Sequence, residues 1–600
     1  MKKVWIWVLS IVALLVVLLL SGAWYLSKNW KGLIEEKLAV FVKESSQGLY
    51  TISYDALDIN PALGNVTFRN LALHADTAVY RLLEEQQKAK NDVFEVELKS
   101  LRIKRFSLFD LLKNKGLHVA SIAIDGVDMH WMQKHHAYND TIVDTNKESF
   151  EERLHKVFSF VKVDAISIDT VAFNFVKRDE SGKELNKFSH KANSIQVQDI
   201  MIDSLSKADP DRIFYTKKIA VTIPEFKHIL SNGFYKAGFK SLRLNTEDKS
   251  VVLIKGYYQP IIPRHAYFNQ KGENKALMNI EMDSLRLDGI DFKSLLEKQD
   301  LTARHVMLSQ GHVQVYGDKR YPKKPENQIG QAPHQKIMRL PFKMHLDSVR
   351  VDRVDVQYTE MGDRYQREGT ITFDRTSGYL TNVTNDTTVL AKNKYMRADL
   401  LSHVMNSGEL KVLFNFDMLS KAGDYTYVGG VGRMRAPAFN RILQPLLNVE
   451  IASGNIKRIH FDMKGTDRRT TGSFLFDYDD LKVKLPDIER NNGKKVSGKI
   501  VSFFVNQILI NDSNPDANEI YHKGRVDYPR DPSFTFFKNL WKSLLEGIKQ
   551  TAGISKEREQ KLMGKAESAK NIAAETKEVA GKAKGFFNKI FKKKDKAADE

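Results

Sequence analysis

The 600-residue sequence predicts a mainly β fold with short helices. It reads as an elongated, repeat-built body of curved β-strands whose one apolar face either closes as a sandwich core or opens as a taco-like β-sheet groove, between one N-terminal transmembrane helix and an amphipathic C-terminal helix. Two observations carry the fold. The first is a recurring spacing: apolar, x, apolar, x, x, apolar, x, apolar. It occurs at Val66, Phe68, Leu71, Leu73; Leu101, Ile103, Phe106, Leu108; Ile122, Ile124, Val127, Met129; and Ile166, Ile168, Val171, Phe173. It returns at Ile195, Val197, Ile200, Ile202; Leu285, Leu287, Ile290, Phe292; and Val349, Val351, Val354, Val356. Chance would supply roughly one strict occurrence. Strict alternation keeps one strand face apolar, and one extra residue restores that face only if the strand bulges. The alternative is a two-residue hairpin, which suits Asp125-Gly126 and Asp288-Gly289 but not Lys104-Arg105 or Asp169-Thr170.

The second observation is a longer repeat. Leu101, Ile103, Phe106, Leu108, Leu111, Leu112 and Leu117 map onto Leu285, Leu287, Ile290, Phe292, Leu295, Leu296 and Leu301, a constant shift of 184. Val161, Val163, Ile166, Ile168, Val171, Phe173 and Phe175 map onto Met344, Leu346, Val349, Val351, Val354, Val356 and Tyr358, a shift of 183. One supersecondary block is therefore used twice, as strand, short Leu-rich helix, strand, long connection, strand.

The remaining elements follow in order. Val4 to Ser27 is an uncharged run of 24 residues, enough at ~1.5 Å per residue to cross a bilayer. Leu14 and Leu19 lie in its apolar centre, with Trp5 and Trp7 at one end and Trp24 and Trp30 at the other, as in interfacial aromatic belts. A cleaved signal peptide is the alternative, since Ser21-Gly22-Ala23 resembles a cleavage site. Lysines flank both ends, so charge does not orient the span. Trp30, Leu33, Ile34, Leu38 and Phe41 predict a short amphipathic helix stopped by Gly48. Later, Val412, Phe414, Phe416 and Met418 alternate, as do Phe474, Phe476, Tyr478 and then Leu481, Val483, Leu485. After Pro532 a helix carries Phe537, Leu540, Trp541, Leu544, Leu545 and Ile548 on one stripe. Loops are expected at 318–335, 486–496 and 511–518. The divisions are 1–28 for the anchor, 29–205 and 206–360 for two β modules, 361–530 for a C-terminal β region and 531–600 for helices and a basic tail.

Composition excludes several classes. With no Cys there are no disulfides, thiolate metal sites or Cys nucleophiles. A net charge of +19 suits an anionic membrane surface or nucleic acid, but the basic residues are dispersed and accompany no nucleic-acid motif. No metalloprotease, serine-hydrolase, P-loop or dinucleotide signature occurs. His130, His135 and His136, beside Asp140 and Asp144, are the one histidine cluster and read as a polar loop. Asp125, Asp164, Asp169, Asp347 and Asp352 sit at bulges or strand edges, where Asp serves the backbone. No catalytic residue, cofactor or metal is assigned. In the tail, Phe586, Phe587, Ile590 and Phe591 share a helical face beside Lys592, Lys593 and Lys594, a pattern that can lie in an anionic headgroup layer.

The opening resembles the AsmA-like family of bacterial envelope proteins. The resemblance rests on the single anchor, the helix WKGLIEEKLAVFVKESSQGLYTI, and the segments LDINPALGNVTFRNLAL and LKSLRIKRFSLFDLLKNKGLHVASIAIDGVDMHW. YHKGRVDYPRDPSFTFFKNLWKSLLEGIKQTAG near the end is similar too. The resemblance implies an inner-membrane, single-pass protein with its body in the periplasm. It also implies an apolar β-groove that conducts phospholipids between envelope membranes, without catalysis, with a periplasmic or outer-membrane protein partner possible. About 20 strands at ~4.8 Å would extend on the order of 100 Å. Groove-lining positions are then Leu101, Ile103, Ile122, Ile124, Val127, Met129, Ile166, Ile168, Val171, Phe173, Ile195, Val197, Leu285, Leu287, Val349, Val351, Val354 and Val356. A closed β-sandwich scaffold, or an anchored hydrolase, is the competing reading.

Overall fold

The computed structural model describes residues 39–553, except 41, 44–45, 61–62, 140–157, 207, 214, 325, 485–487, 490–494 and 497–510. The expected membrane span at 4–27 and the basic tail from Lys582 lie outside the described residues, as do Asp140 and Asp144. Among the described residues no helix is long and apolar enough to cross a membrane. The protein is mainly β, 56% strand against 16% helix. Of the expected N-terminal helix, Ala39, Val40, Val42 and Lys43 are described and helical, and Gly48 turns the chain at φ 83°.

Two compact units divide the chain, one comprising residues up to Gly256 with Leu285–Arg304, the other Tyr257–Ser284 with His305 onward. The first opens with β1 (Tyr50–Ser53), β2 (Ala56–Asn60), β3 (Asn65–Ala75), α1 (Thr77–Glu85), β4 (Asp92–Phe106), α2 (Leu108–Asn114) and β5 (Gly116–Lys134). β6 (Phe160–Arg178), β7 (Glu184–Ile202), β8 (Thr216–Ile223), β9 (Phe226–Ile229), β10 (Tyr235–Phe239), β11 (Ser241–Asn245) and β12 (Ser250–Pro260) follow. β1 and β2 both pair with β3, and β3 through β8 form a ladder in which only β5–β6 is parallel.

The chain then forms α3 (Arg264–Lys271), β13 (Leu277–Asp288), α4 (Phe292–Lys298), β14 (Leu301–Asp318), α5 (Pro333–Met338), β15 (Met344–Met361), β16 (Glu368–Thr384), β17 (Tyr395–Val404), β18 (Gly408–Asp417) and β19 (Tyr425–Val431). It ends with β20 (Met434–Arg435), α6 (Asn440–Leu447), β21 (Glu450–Gly465), β22 (Arg469–Lys484), β23 (Gly524–Pro529) and α7 (Phe536–Thr551). In the second unit β15–β16–β17–β18–β19–β21–β22–β23 is antiparallel throughout.

All seven spacing units carry a left-handed residue at the second position of the central pair of spacers. These are Asn70, Arg105, Gly126, Thr170, Asp199, Gly289 and Arg353, at φ between 49° and 69°. Five strands run on through that residue, which removes the hairpin reading for Asp125-Gly126. In β15 the pairing shifts register there, as a bulge requires, whereas β3, β5, β6 and β7 stay in one-for-one register across their left-handed residues. At Arg105 and Gly289 the strand gives way to a seven-residue helix instead. β22 joins the two short alternations at Phe474–Tyr478 and Leu481–Val483 into one strand, with Asp480 at φ 48° between them. In β3, β5 and β6 the left-handed residues fall in one row, joined through Lys99 of β4: Asn70 lies across from Lys99, Lys99 across from Gly126, and Gly126 beside Thr170.

The repeat is longer than the sequence indicates. β2 and β3 recur as β11 and β12, with Asn60 opposite Asn65 in one and Asn245 opposite Ser250 in the other. α2 and α4 are each seven residues, start with a side-chain cap from Ser107 or Asp291, and end on left-handed Lys115 or Gln299. Ile166 opposite Val197 becomes Val349 opposite Leu380. Left-handed residues recur with it, as Asn70 and Lys255, Gly126 and Gln310, Thr170 and Arg353, Asp199 and Asn382. A first copy thus runs from Tyr50 to Ile202 and a second from Tyr235 to Thr384.

Candidate functional site: an apolar sheet face half open to solvent

The predicted lining residues fall into two environments. Leu101, Ile103, Ile122, Ile124, Ile166, Ile168 and Val197 are 1–7% exposed and belong to one packed core. Met129 is equally buried, and Val127, Val171 and Ile195 pack partly against that core, with Phe173 half-buried. Val42, Leu49, Leu57, Tyr80, Leu83 and Phe158 complete it. These strand faces therefore meet protein rather than solvent. Leu285, Leu287, Val349, Val351 and Val356 are half-buried, and Val354 is buried.

In the second unit half-buried apolar positions line up across strands with a few buried ones, Ala398 within the first row and Tyr427 and Phe461 at the row ends. Val349 stands opposite Leu380, Leu380 opposite Ala398, Ala398 opposite Phe414, and Phe414 opposite Tyr427. The next row is Val351, Gly378, Leu400, Val412, Gly429 and Phe461. Directly opposed residues of an antiparallel ladder share a face, so these rows form one apolar surface. Gly378, at φ 152°, is required by its neighbour, because a Cβ there would meet the Asp399 carbonyl oxygen at 2.0 Å. Val349, Val351, Leu380, Leu400, Val412 and Phe414 are all half-buried.

The same face is sealed at the far strands. Phe461, Met463, Phe474, Tyr425, Tyr427 and Val526 are at most 4% exposed. α7 packs on β22 and β23 there, using small and polar residues. Asn539 Nδ2 donates to Tyr425 Oη at 3.3 Å and Thr470 Oγ1 at 3.2 Å, and Ser543 Oγ lies 2.7 Å from Tyr427 Oη. A Cβ on Gly547 would strike the Phe474 ring at 2.4 Å. Of the predicted helix stripe only Leu540 is buried, while Phe537 and Trp541 are exposed and Leu544, Leu545 and Ile548 half-buried. α5 covers another part of the face, where the His334 ring lies 5.1 Å from that of Phe416. Neither His334 ring nitrogen has a partner, and burial pulls its pKa down to about 4.

The polar candidates are each engaged by neighbouring side chains. Asp125 accepts from Ser100 Oγ at 2.8 Å and Arg102 Nη2 at 2.6 Å, and it lies beside Asp169 in the parallel pair. Asp164 holds His118 and Lys162, Asp347 holds His345, and Asp352 meets Arg353. His136 lies 3.0 Å from Tyr80 Oη, with its pKa lowered by burial, whereas His130 and His135 pair separately with Asp128 and Glu180. Among the described residues no group of three His, Asp or Glu is placed to hold a metal ion. The arrangement presents a half-buried apolar surface on the β15–β18 strands. Compared with known proteins, the sequence matches no family model, and no curated protein is similar to it.

Proposed function

We propose that the β15–β18 face binds acyl chains and that the protein carries phospholipid between envelope membranes as an AsmA-like, inner-membrane-anchored periplasmic protein. One observation supports this above the others: contiguous apolar rows stay half open where the same face, a few strands on, is fully buried. Each methylene taken from water onto such a surface contributes ~0.8 kcal/mol, so a single acyl chain supplies ample affinity. Gly378 and Gly429 deepen the second row by leaving no side chain in it. The chain has no catalytic role in this reading, and its partners are phospholipid and the membranes themselves.

The experiment is site-specific photocrosslinking of the full chain in a bacterial envelope, with p-benzoylphenylalanine at Leu400 or Val412 and, as controls, at exposed Asp399 or Lys411. Mass spectrometry should find phospholipid adducts at the first pair and not at the second. Equal labelling of both faces, or none at Leu400 and Val412, sinks the proposal. Protein adducts at Leu400 in place of lipid would establish the closed scaffold instead.

A further inference from the structure

α7 turns its chemistry outward. Its sheet-facing residues are Phe536, Asn539, Leu540, Ser543, Gly547 and Thr551, all buried. Phe537 and Trp541 remain 69% and 43% exposed on the other side. A soluble helix ordinarily buries such a stripe, so an outward apolar side calls for an apolar occupant. Lys538 and Lys542, one turn apart, border that stripe. The segment after β14 brings Lys319 and Lys323 close enough for both to act electrostatically on Lys538. That segment is pinned beside the start of α7, since Gln328 N donates to the Pro532 carbonyl at 2.7 Å and Arg530 Nη2 donates to the Gln328 carbonyl at 2.8 Å. Arg530 is itself fixed by a buried pair with Asp467 at 3.2 Å.

The four lysines are poorly neutralised. Lys319 pairs with Glu360, and Lys542 feels the same carboxylate, but Lys323, Lys538 and Lys542 make no ion pair among the described residues. The Lys538 ammonium lies 3.8 Å from the centroid of the Phe534 ring. Loss of hydration there, with the neighbouring lysines, lowers its pKa to about 8, while Asp531 acts weakly the other way. Like charges held together in this manner are relieved by an anion.

We propose that Lys319, Lys323, Lys538 and Lys542 seat the phosphate of an anionic amphiphile whose acyl chain lies along Phe537, Trp541 and Leu545, an inference that rests on reading the β15–β18 face as an acyl-chain surface. The alkyl chain meets the exposed stripe, and the phosphate takes charge-assisted hydrogen bonds from the ammonium groups. Neither half of such a ligand suffices alone: the stripe gives no preference for charge, and the lysines give no preference for a tail.

The test uses the full chain held in amphipol and calorimetric titration with dihexanoyl phosphatidylglycerol, dihexanoyl phosphatidylcholine and glycerol phosphate. Wild type should bind the anionic lipid about tenfold more tightly than the zwitterionic one, and glycerol phosphate far more weakly than either. K538Q/K542Q, with unchanged circular dichroism, should erase the preference while leaving phosphatidylcholine within about twofold. Absence of a charge preference in wild type overturns the seat, as does its survival in the variant. Glycerol phosphate binding as tightly as phosphatidylglycerol also overturns it, since the site would then be a simple anion site. Retained phosphatidylcholine binding would leave the sheet-face reading standing, whereas loss of both lipids would remove both.

Discussion

The first and second copies of the repeated block share registers and left-handed positions yet differ in what lies over their apolar faces. Ile166 and Ile168 are 5% and 7% exposed, while Val349 and Val351 at the same repeat positions are half-buried. In the first copy the core is completed by Val42, Leu49, Tyr80, Leu83 and Phe158, none of which belongs to the paired strands themselves. The second copy carries a smaller side chain at both positions. One backbone scaffold therefore yields a packed core or an open surface according to its flanking segments and side-chain volume.

The sharpest way to break this comparison is the same charge at the two equivalent positions. Ile168→Asp buries an unpaired carboxylate and should cost about 4 kcal/mol or more, seen as loss of the cooperative thermal transition. Val351→Asp should cost ~1 kcal/mol or less and remove lipid adducts at Leu400. Equal destabilisation by both would mean that the second face is a core as well.

A smaller effect concerns the cover supplied by α5. His334 is neutral when folded, with a pKa of about 4 against an ordinary 6.5. Between pH 6.5 and 4 the unfolded chain binds a proton that the folded chain does not, so stability falls as the pH falls through that window. The loss is on the order of 2–3 kcal/mol. In His334→Leu this part of the pH dependence of denaturant unfolding should disappear. An unchanged profile would show that the His334 ring takes up its proton as readily in the folded chain as in the unfolded one.

The smallest effect lies at the left-handed positions. Thr170 is β-branched, exposed and at φ 57°. Thr170→Gly should stabilise by about 0.5–1 kcal/mol in chemical denaturation, because left-handed backbone is costly for a branched residue. A loss of stability would mean that the side chain contributes more than the backbone strain removes.

Much of the fold was legible because its signals are local. The extra residue between apolar pairs announced a left-handed residue in all seven spacing units, and the shift of 184 announced α2 and α4, whereas the register shifts in β16 and β21 carry no such signal. The upstream part of the repeat was hidden because TISYDALDIN and KAGFKSLRLN preserve strand register without preserving side chains. Exposure was not legible at all, since a valine in a core and a valine on an open face are the same letter. α7 inverted expectation for a different reason. Its partner strands already present Tyr425, Tyr427 and Phe474, so the docking side needs small residues and hydrogen-bond donors, and Asn539, Ser543 and Gly547 supply them.

The left-handed residues Asn70, Gly126 and Thr170, joined in one row through Lys99, act as a crease. Left-handed backbone turns β3, β5 and β6 at the same height, so the bend is gathered along one line instead of being spread over the sheet. A creased plate is compliant about its crease and stiff about every other axis. The first copy's slow motions should therefore resolve into one flexing mode about that line, with fast amide exchange tracing it across four strands.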